Sequence, residues 1–140
     1  MNPFLNLLDT VDNTISICIS LSPVSYNNFA YLDVLVNSNV IFNAEINEQK
    51  ILKTSVQLLE PIEIGMISKN NNAVTIQSIK IDDFEIIPNY IHYSDYVGSD
   101  GTAFGPTEYL GVSGKWELNI DKPFYNWKHD ATGMGWLLTP

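Results

Sequence analysis

Apolar and polar residues alternate with a period of two along much of this chain, and this pattern constrains its fold more than any other feature. In "LDVLV", Leu32, Val34 and Val36 would lie on one face of an extended segment. The pattern recurs in "VIFNAEI" (Val40, Phe42, Ala44, Ile46), "TSVQLLE" (Thr54, Val56, Leu58) and "IEIGMIS" (Ile62, Ile64, Met66). A period of two indicates half-buried β-strands. Short strands divided by polar turns predict an all-β, antiparallel β-sandwich of the jelly-roll type.

Polar segments between these strands suggest how the strands connect. "NSN" at 37–39 and "NEQK" at 47–50 have the length and composition of hairpin turns, and "KNNNA" at 69–73 predicts another turn. The alternation changes phase near Ser78, which indicates a β-bulge or a corner. We expect Trp116 in the shared core, and Cys18 as a buried, inert thiol.

The two ends of the chain break the strand rhythm. Phe4 and Leu7 have helical spacing, and we assign residues 1–12 to a short N-terminal arm and 13–140 to a single sandwich domain. "IDKPFYNWKHDATG" predicts a short C-terminal helix that Asp121 caps and Gly133 ends. Phe124, Trp127 and Ala131 would share the face of this helix that closes the sandwich. The remaining apolar side chains at the ends predict an interface with other subunits: Phe4, Leu7, Tyr125, Trp136, Leu137 and Leu138.

Charge excludes several classes of partner. The net charge is −9, and all seven basic residues are lysines scattered along the chain. Nucleic-acid binding needs clustered cations, usually including arginine, and anionic membranes also attract basic surfaces. We therefore expect neither partner. The first residues lack the positive segment of a secretory signal, so we expect none there.

Catalytic motifs are not apparent in the sequence. Two histidines, His92 and His129, and one cysteine do not form a recognisable zinc pattern. "GVSGK" misses the spacing of a Gly-x-Ser-x-Gly nucleophile elbow. We predict that the protein is not an enzyme.

A long, weakly patterned stretch between Ile87 and Tyr109 holds the candidate binding residues. Asp95 and Asp100, with Asp83, could supply carboxylates to a Ca²⁺ ion, or could simply solvate turns. Strand alternation would place Asp82 and Asp83 on opposite faces. Tyr93 and Tyr96 could stack on a glycan while Asp95 orients its hydroxyl groups; alternatively, the tyrosines pin the loop to the sandwich.

Two resemblances bear on function. The stretch from Thr14 to Tyr90, with "AYLDVLVNSNVIFNAEI" and "IQSIKIDDFEI", resembles jelly-roll carbohydrate-binding modules of the calcium-dependent xylan-binding type. That resemblance implies glycan binding assisted by Ca²⁺. The tail, in which a "YLG-x-x-G-x-W" strand runs into a "PFY-x-W" helix, resembles small structural proteins of tailed bacteriophages. This second resemblance implies a virion component.

Our leading hypothesis is a structural virion protein, such as a capsid decoration or appendage subunit. It would form a homo-oligomer or bind a capsid or tail protein. The alternative is an extracellular, calcium-assisted carbohydrate-binding module. Ca²⁺ is the one cofactor that the sequence suggests.

Overall fold

The computed structural model describes residues 14–25 and 27–132. Its elements, in chain order, are β1 (Thr14–Pro23), β2 (Tyr31–Val36), β3 (Asn39–Glu45), β4 (Lys50–Gln57), β5 (Ile62–Ser68), β6 (Val74–Ile81), β7 (Phe84–Ile87), a 3₁₀ turn (Ile91–Tyr93), β8 (Ser94–Gly98), β9 (Tyr109–Leu110), β10 (Gly114–Ile120) and α1 (Phe124–Thr132). The strands pair antiparallel in two sheets, so the predicted β-sandwich with a short C-terminal helix is confirmed. The predicted N-terminal arm lies outside the described residues.

The first sheet has the order β4-β1-β6-β7, with β9 also paired to β6, and the second has the order β3-β2-β5-β10-β8. Within the described residues, two tight hairpins join neighbours in one sheet: β2–β3 and β6–β7. The first confirms the turn predicted at "NSN", where Asn37 and Ser38 have φ of 49° and 68°. The hairpin expected at "NEQK" is wrong, because β3 and β4 belong to different sheets. A short polar connection can bridge two sheets as readily as it can turn a hairpin.

Asp82 and Asp83 form the turn of the second hairpin. Their φ angles are 50° and 63°, as the two central residues of a type I′ turn require. The expectation that they lie on opposite faces of a strand is therefore wrong. Aspartate tolerates this left-handed backbone better than most residues because its short side chain can bond locally.

Core residues follow the predicted alternation in the central strands. Leu32, Val34 and Val36 on β2 and Trp116 on β10 are buried. At the edge strand β3 the prediction fails for Val40, which is 58% exposed. Val34 pairs with Phe42 but Leu35 pairs with Val40, so one extra residue in β3 turns Val40 toward solvent.

The first strand confirms one prediction and corrects another. The bulge predicted near Ser78 is present, since Ser20 pairs with Ser78 but Leu21 pairs with Ile76. Cys18 is half-buried rather than buried. It alternates with the buried Ile17 and Ile19, so it lies on the outer face of the sheet.

The C-terminal helix α1 closes one end of the sandwich as predicted. Phe124 and Trp127 are buried in the core, and the half-buried Ala131 packs against it. The ring of Phe124 meets the ring of Phe84 at 6.1 Å, which ties α1 to the β6–β7 hairpin. No helix within residues 14–25 and 27–132 is long and apolar enough to cross a membrane.

Candidate binding cleft

The connection from β8 to β9, residues 99–108, folds back on itself at the end of the sandwich opposite α1. Gly98 N donates to Thr102 O at 2.8 Å and Gly101 N donates to Gly98 O at 2.9 Å, so the chain reverses in a few residues. Gly101 has a φ of +89°, which glycine adopts without the steric cost of a Cβ. Phe104 N then donates to Tyr96 O at 2.9 Å, and this bond brings the chain back over β8.

The second half of this connection is anchored to both sheets. Trp116 Nε1 donates to Thr107 O at 2.8 Å, from the buried indole of β10. Ile76 N, on β6, donates to Glu108 O at 2.7 Å. Buried backbone groups normally need such partners, and here they fix the path of the loop.

Two cavities open between this loop and the neighbouring 111–113 turn. The first, which we call the polar cavity, has a volume of about 330 Å³ and is lined by Asn71, Ser99, Asp100, Phe104, Val112 and Ser113. The second, the aromatic cavity, has a volume of about 400 Å³ and is lined by Tyr96, Phe104, Pro106, Thr107, Tyr109, Gly111 and Val112. Because both share Phe104 and Val112, they adjoin; together we call them the loop-end cleft.

The polar cavity contains one amide that is held in place and several hydrogen-bonding groups that can still bind a ligand. Asn71 Oδ1 accepts from Ser113 N at 2.9 Å, which holds the amide in place. The hydroxyl groups of Ser99 and Ser113 and the Asn71 Nδ2 make no hydrogen bond to the described residues. They are therefore available to hydroxyl groups of a ligand.

Asp100 supplies the negative charge of the polar cavity. The backbone N–H of Thr102 donates to Asp100 Oδ1 at 3.0 Å. This bond, with a second from the Thr102 side chain, holds the pKa of the Asp100 carboxyl below its ordinary value. Asp100 is thus ionised at neutral pH, and no lysine lines either cavity.

Exposed rings mark the aromatic cavity. Phe104 is 48% exposed and Tyr109 is 50% exposed. A Cβ at Gly111 would lie 2.6 Å from Tyr109 Cε1, so the glycine leaves the space that this ring occupies. Phe104 stacks on Tyr96 with ring centroids 5.2 Å apart and planes 26° apart.

The predicted stacking pair is separated by the fold. Tyr96 is 2% exposed; its hydroxyl donates to Val112 O, and Phe104 covers its ring. Tyr96 therefore has no open face for a sugar and agrees instead with the alternative interpretation, in which this tyrosine pins the segment to the sandwich. Tyr93 is 39% exposed, but it follows β7 and packs on Trp127 of α1 at 5.1 Å, away from the cleft.

The three carboxylates predicted to bind Ca²⁺ are also apart. Asp83 lies in the turn after β6, whereas the cleft adjoins the start of β6, where Thr75 pairs with Tyr109. Eight residues of strand correspond to about 25 Å. Asp95 is exposed on the edge strand β8, opposite Glu117, and only Asp100 lines the cleft. Within residues 14–25 and 27–132 no three His, Cys, Asp or Glu residues form a metal-binding group.

Of the predicted interface residues, only Tyr125 is described. It is 49% exposed, and its hydroxyl donates to the Asp82 carboxylate. Phe4, Leu7, Trp136, Leu137 and Leu138 lie outside the described residues, so the interface stays a prediction.

Comparison with known proteins shows similarity at the level of the fold. No protein-family model matches the sequence, and no curated protein matches it. The selenomethionine form of vCBM60, from work on a circular permutation linking two families of calcium-dependent carbohydrate-binding modules, has a TM-score of 0.53 and 15% sequence identity. The match covers 76% of this chain and 92% of that chain. vCBM60 in complex with galactobiose has a TM-score of 0.52 and 14% identity, covering 76% and 97%.

These similarities agree with the carbohydrate-binding-module fold that the sequence suggested. The resemblance to tailed-phage proteins stays a prediction.

Proposed function

We propose that this domain is a non-catalytic carbohydrate-binding module that holds a glycan in the loop-end cleft. The observation that carries the proposal is the pairing of hydrogen-bonding groups with exposed rings in two adjoining cavities. A sugar presents hydroxyl groups at its rim and C–H groups on its faces, so it needs both kinds of contact. Small-molecule sites combine apolar walls with a few placed polar groups in the same way.

The structural similarity to vCBM60 supports the proposal, since its galactobiose complex shows a sugar bound by a related fold. The proposal favours the alternative hypothesis from the sequence over the virion hypothesis. An extracellular location is the one in which a glycan-binding domain would meet its ligand, and we propose it on that ground.

The three carboxylates that the sequence suggested as Ca²⁺ ligands do not form one site. Asp83, Asp95 and Asp100 do not fit a single ion, because the fold keeps them apart. A Ca²⁺ ion at the cleft would have Asp100 as its only predicted carboxylate ligand, with oxygens of the backbone or of Asn71 completing the shell. We therefore keep Ca²⁺ dependence as a prediction.

The test is a glycan array, followed by calorimetry on the best ligand with two matched variants. Tyr109→Ala removes a ring that is 50% exposed at the cleft, and Tyr125→Ala removes one that is 49% exposed on α1. Losing about 50 Å² of apolar contact at ~25 cal/mol per Å² corresponds to about a tenfold weaker affinity. We expect that loss for Tyr109→Ala alone. An array without signal, or equal losses in both variants, would contradict the proposal.

A further inference from the structure

The two cavities of the loop-end cleft meet at a shared boundary, which we call the wall. Phe104 and Val112 line both cavities, one from each side of the cleft. Phe104 is held by its backbone bond to Tyr96 and by its stacking on the Tyr96 ring. The Tyr96 hydroxyl in turn donates to Val112 O. Tyr96 therefore ties together the two residues that form the wall.

Gly98 adds a second constraint on Phe104. A Cβ at this position would lie 3.2 Å from Phe104 Cε2 and 3.0 Å from Asp100 Oδ1. The absence of a side chain thus lets the ring and the carboxylate approach the backbone together. This packing keeps Phe104 between the cavities, and places Asp100 on the polar side only.

The chemistry on the two sides of the wall differs. The polar cavity offers a carboxylate, an amide and two hydroxyl groups. The aromatic cavity offers Tyr109, Pro106 and the outer face of Phe104, with Thr107 as its one polar side chain besides the two tyrosines. Each volume is near the lower end of the range for small-molecule sites, so each suits one sugar unit.

We infer that the cleft has two subsites and recognises two adjoining units of a neutral oligosaccharide, an inference that rests on the proposed function. One unit occupies the polar cavity, where its hydroxyl groups bond to Asp100, Asn71 and the two serines. The next unit occupies the aromatic cavity with its C–H face on Tyr109. The glycosidic linkage passes over Phe104 and Val112.

Charge restricts the ligand further. Asp100 is ionised, and both cavities lack a lysine. A carboxylate or sulfate on either sugar unit would meet a like charge without a compensating cation. The ligand is therefore a neutral chain of at least two units.

Chain length is the variable that tests this inference. The probes are neutral mono-, di- and trisaccharides of the galactose and xylose series, together with every other neutral series that gives a signal on the array. We expect the disaccharide to bind at least tenfold more tightly than the monosaccharide, and the trisaccharide to add less than threefold. Tyr109→Ala should remove the gain from mono- to disaccharide. Tyr109→Phe, which keeps the ring, should retain the gain.

A variant on the other side of the wall gives the opposite pattern. Ser99→Ala combined with Ser113→Ala removes two hydroxyl groups while keeping the Ser113 backbone bond to Asn71. It should weaken mono- and disaccharide by the same factor. Melting temperatures of all variants within 2 °C or so of the wild type would show that folding is intact.

Each outcome has a distinct meaning. Equal affinity for mono- and disaccharide, or a preference for uronic or sulfated glycans, overturns the two-subsite inference while glycan binding itself survives. A gain with chain length that Tyr109→Ala does not change also overturns it. No binding to any glycan overturns both the inference and the proposed function.

Discussion

Replacing Gly114 by alanine tests the packing that positions the cleft. Gly114 begins β10, is buried, and pairs with Gly98 of β8. A Cβ there would lie 2.4 Å from Val97 O, 2.9 Å from Gly98 Cα and 3.0 Å from Tyr96 Cε1. All three atoms belong to β8, and two are backbone, so no side-chain rotation relieves the contact. Since ordinary contacts begin near 3.4 Å, β8 would have to move by roughly 1 Å.

The size of the effect follows from two opposing terms. Overpacking a well-packed site costs about 1–3 kcal/mol. Alanine also restricts the unfolded chain, which stabilises the fold by about 0.4–1 kcal/mol where the backbone is compatible. We expect a net destabilisation of about 1–2 kcal/mol. For a domain of this size that lowers the melting temperature by about 3–7 °C.

Gly65→Ala is the matched control in the same sheet. Gly65 on β5 is buried as well, but its Cβ would have Trp116 O as nearest heavy atom, at 3.9 Å. Only the unfolded-state term then applies, and we expect a melting temperature equal to or slightly above that of the wild type. The assay is thermal unfolding followed by circular dichroism, with urea unfolding to obtain free energies.

Two results would refute this reasoning. Gly114→Ala melting at or above the wild type would show that β8 accommodates the methyl group. Equal losses in both variants would show that any added methyl group disturbs the second sheet. Because Ser99 N donates to Ser113 O, movement of β8 would carry the polar cavity with it. Gly114→Ala should therefore also weaken glycan binding, beyond its effect on stability.

Two further predictions concern pH and calcium. Burial raises the pKa of the Tyr96 hydroxyl above its usual value of about 10. The stabilisation from neutral Tyr96 is therefore present below pH 10 and is lost as the pH rises through the higher pKa of the folded state. Melting temperatures measured from pH 8 to 11 should fall less for Tyr96→Phe than for the wild type. Parallel melting curves for the two proteins would contradict this prediction. If Ca²⁺ binds through Asp100, millimolar Ca²⁺ should raise the melting temperature by mass action. Asp100→Asn should abolish this rise, and the control Asp83→Asn should keep it. A wild-type melting curve that neither Ca²⁺ nor a chelator changes would exclude the site.

Strands with one buried face could be predicted because burial imposes a visible pattern. On β2 and β5, the structure buries the predicted faces, although the opposite faces also carry apolar Leu35 and Ile67. The helix α1 could be predicted for a similar reason: its apolar residues lie three or four apart after Pro123, which suits a first helical turn. Both signals are local in the sequence.

Strand β8 gives a weak signal in the sequence because Tyr96 is the one large side chain on its buried face. Its inward residues are Ser94, Tyr96 and Gly98, and its outward residues are Asp95 and Val97. Alternation is present, but the small and polar inward residues hide it. The sequence therefore suggests a long loop, and it leaves open whether Tyr96 stacks on a ligand or pins that loop to the sandwich.

Local sequence patterns also do not show which strands belong to the same sheet. Residues 47–50 could turn a hairpin or cross the sandwich, since the same turn residues serve both. The cleft depends on such crossings: Asn71 comes from the β5–β6 connection, while Asp100 and Ser113 come from later ones. Nothing in the local sequence brings these residues together.

Aromatic residues at the two ends of the sandwich have different roles, and this difference supports a ligand at the loop-end cleft. At the α1 end, the rings of Tyr90, Tyr93, Phe124 and Trp127 lie 5.1–6.5 Å from one another. These contacts hold the helix and the 3₁₀ turn in place, although Tyr93 stays 39% exposed. At the other end, Phe104 and Tyr109 stay about half exposed beside Val112, although the surrounding backbone is fixed by hydrogen bonds. Exposed apolar area on a rigid frame contributes little to folding, and such patches usually mark binding sites. The glycan that we propose would cover these rings.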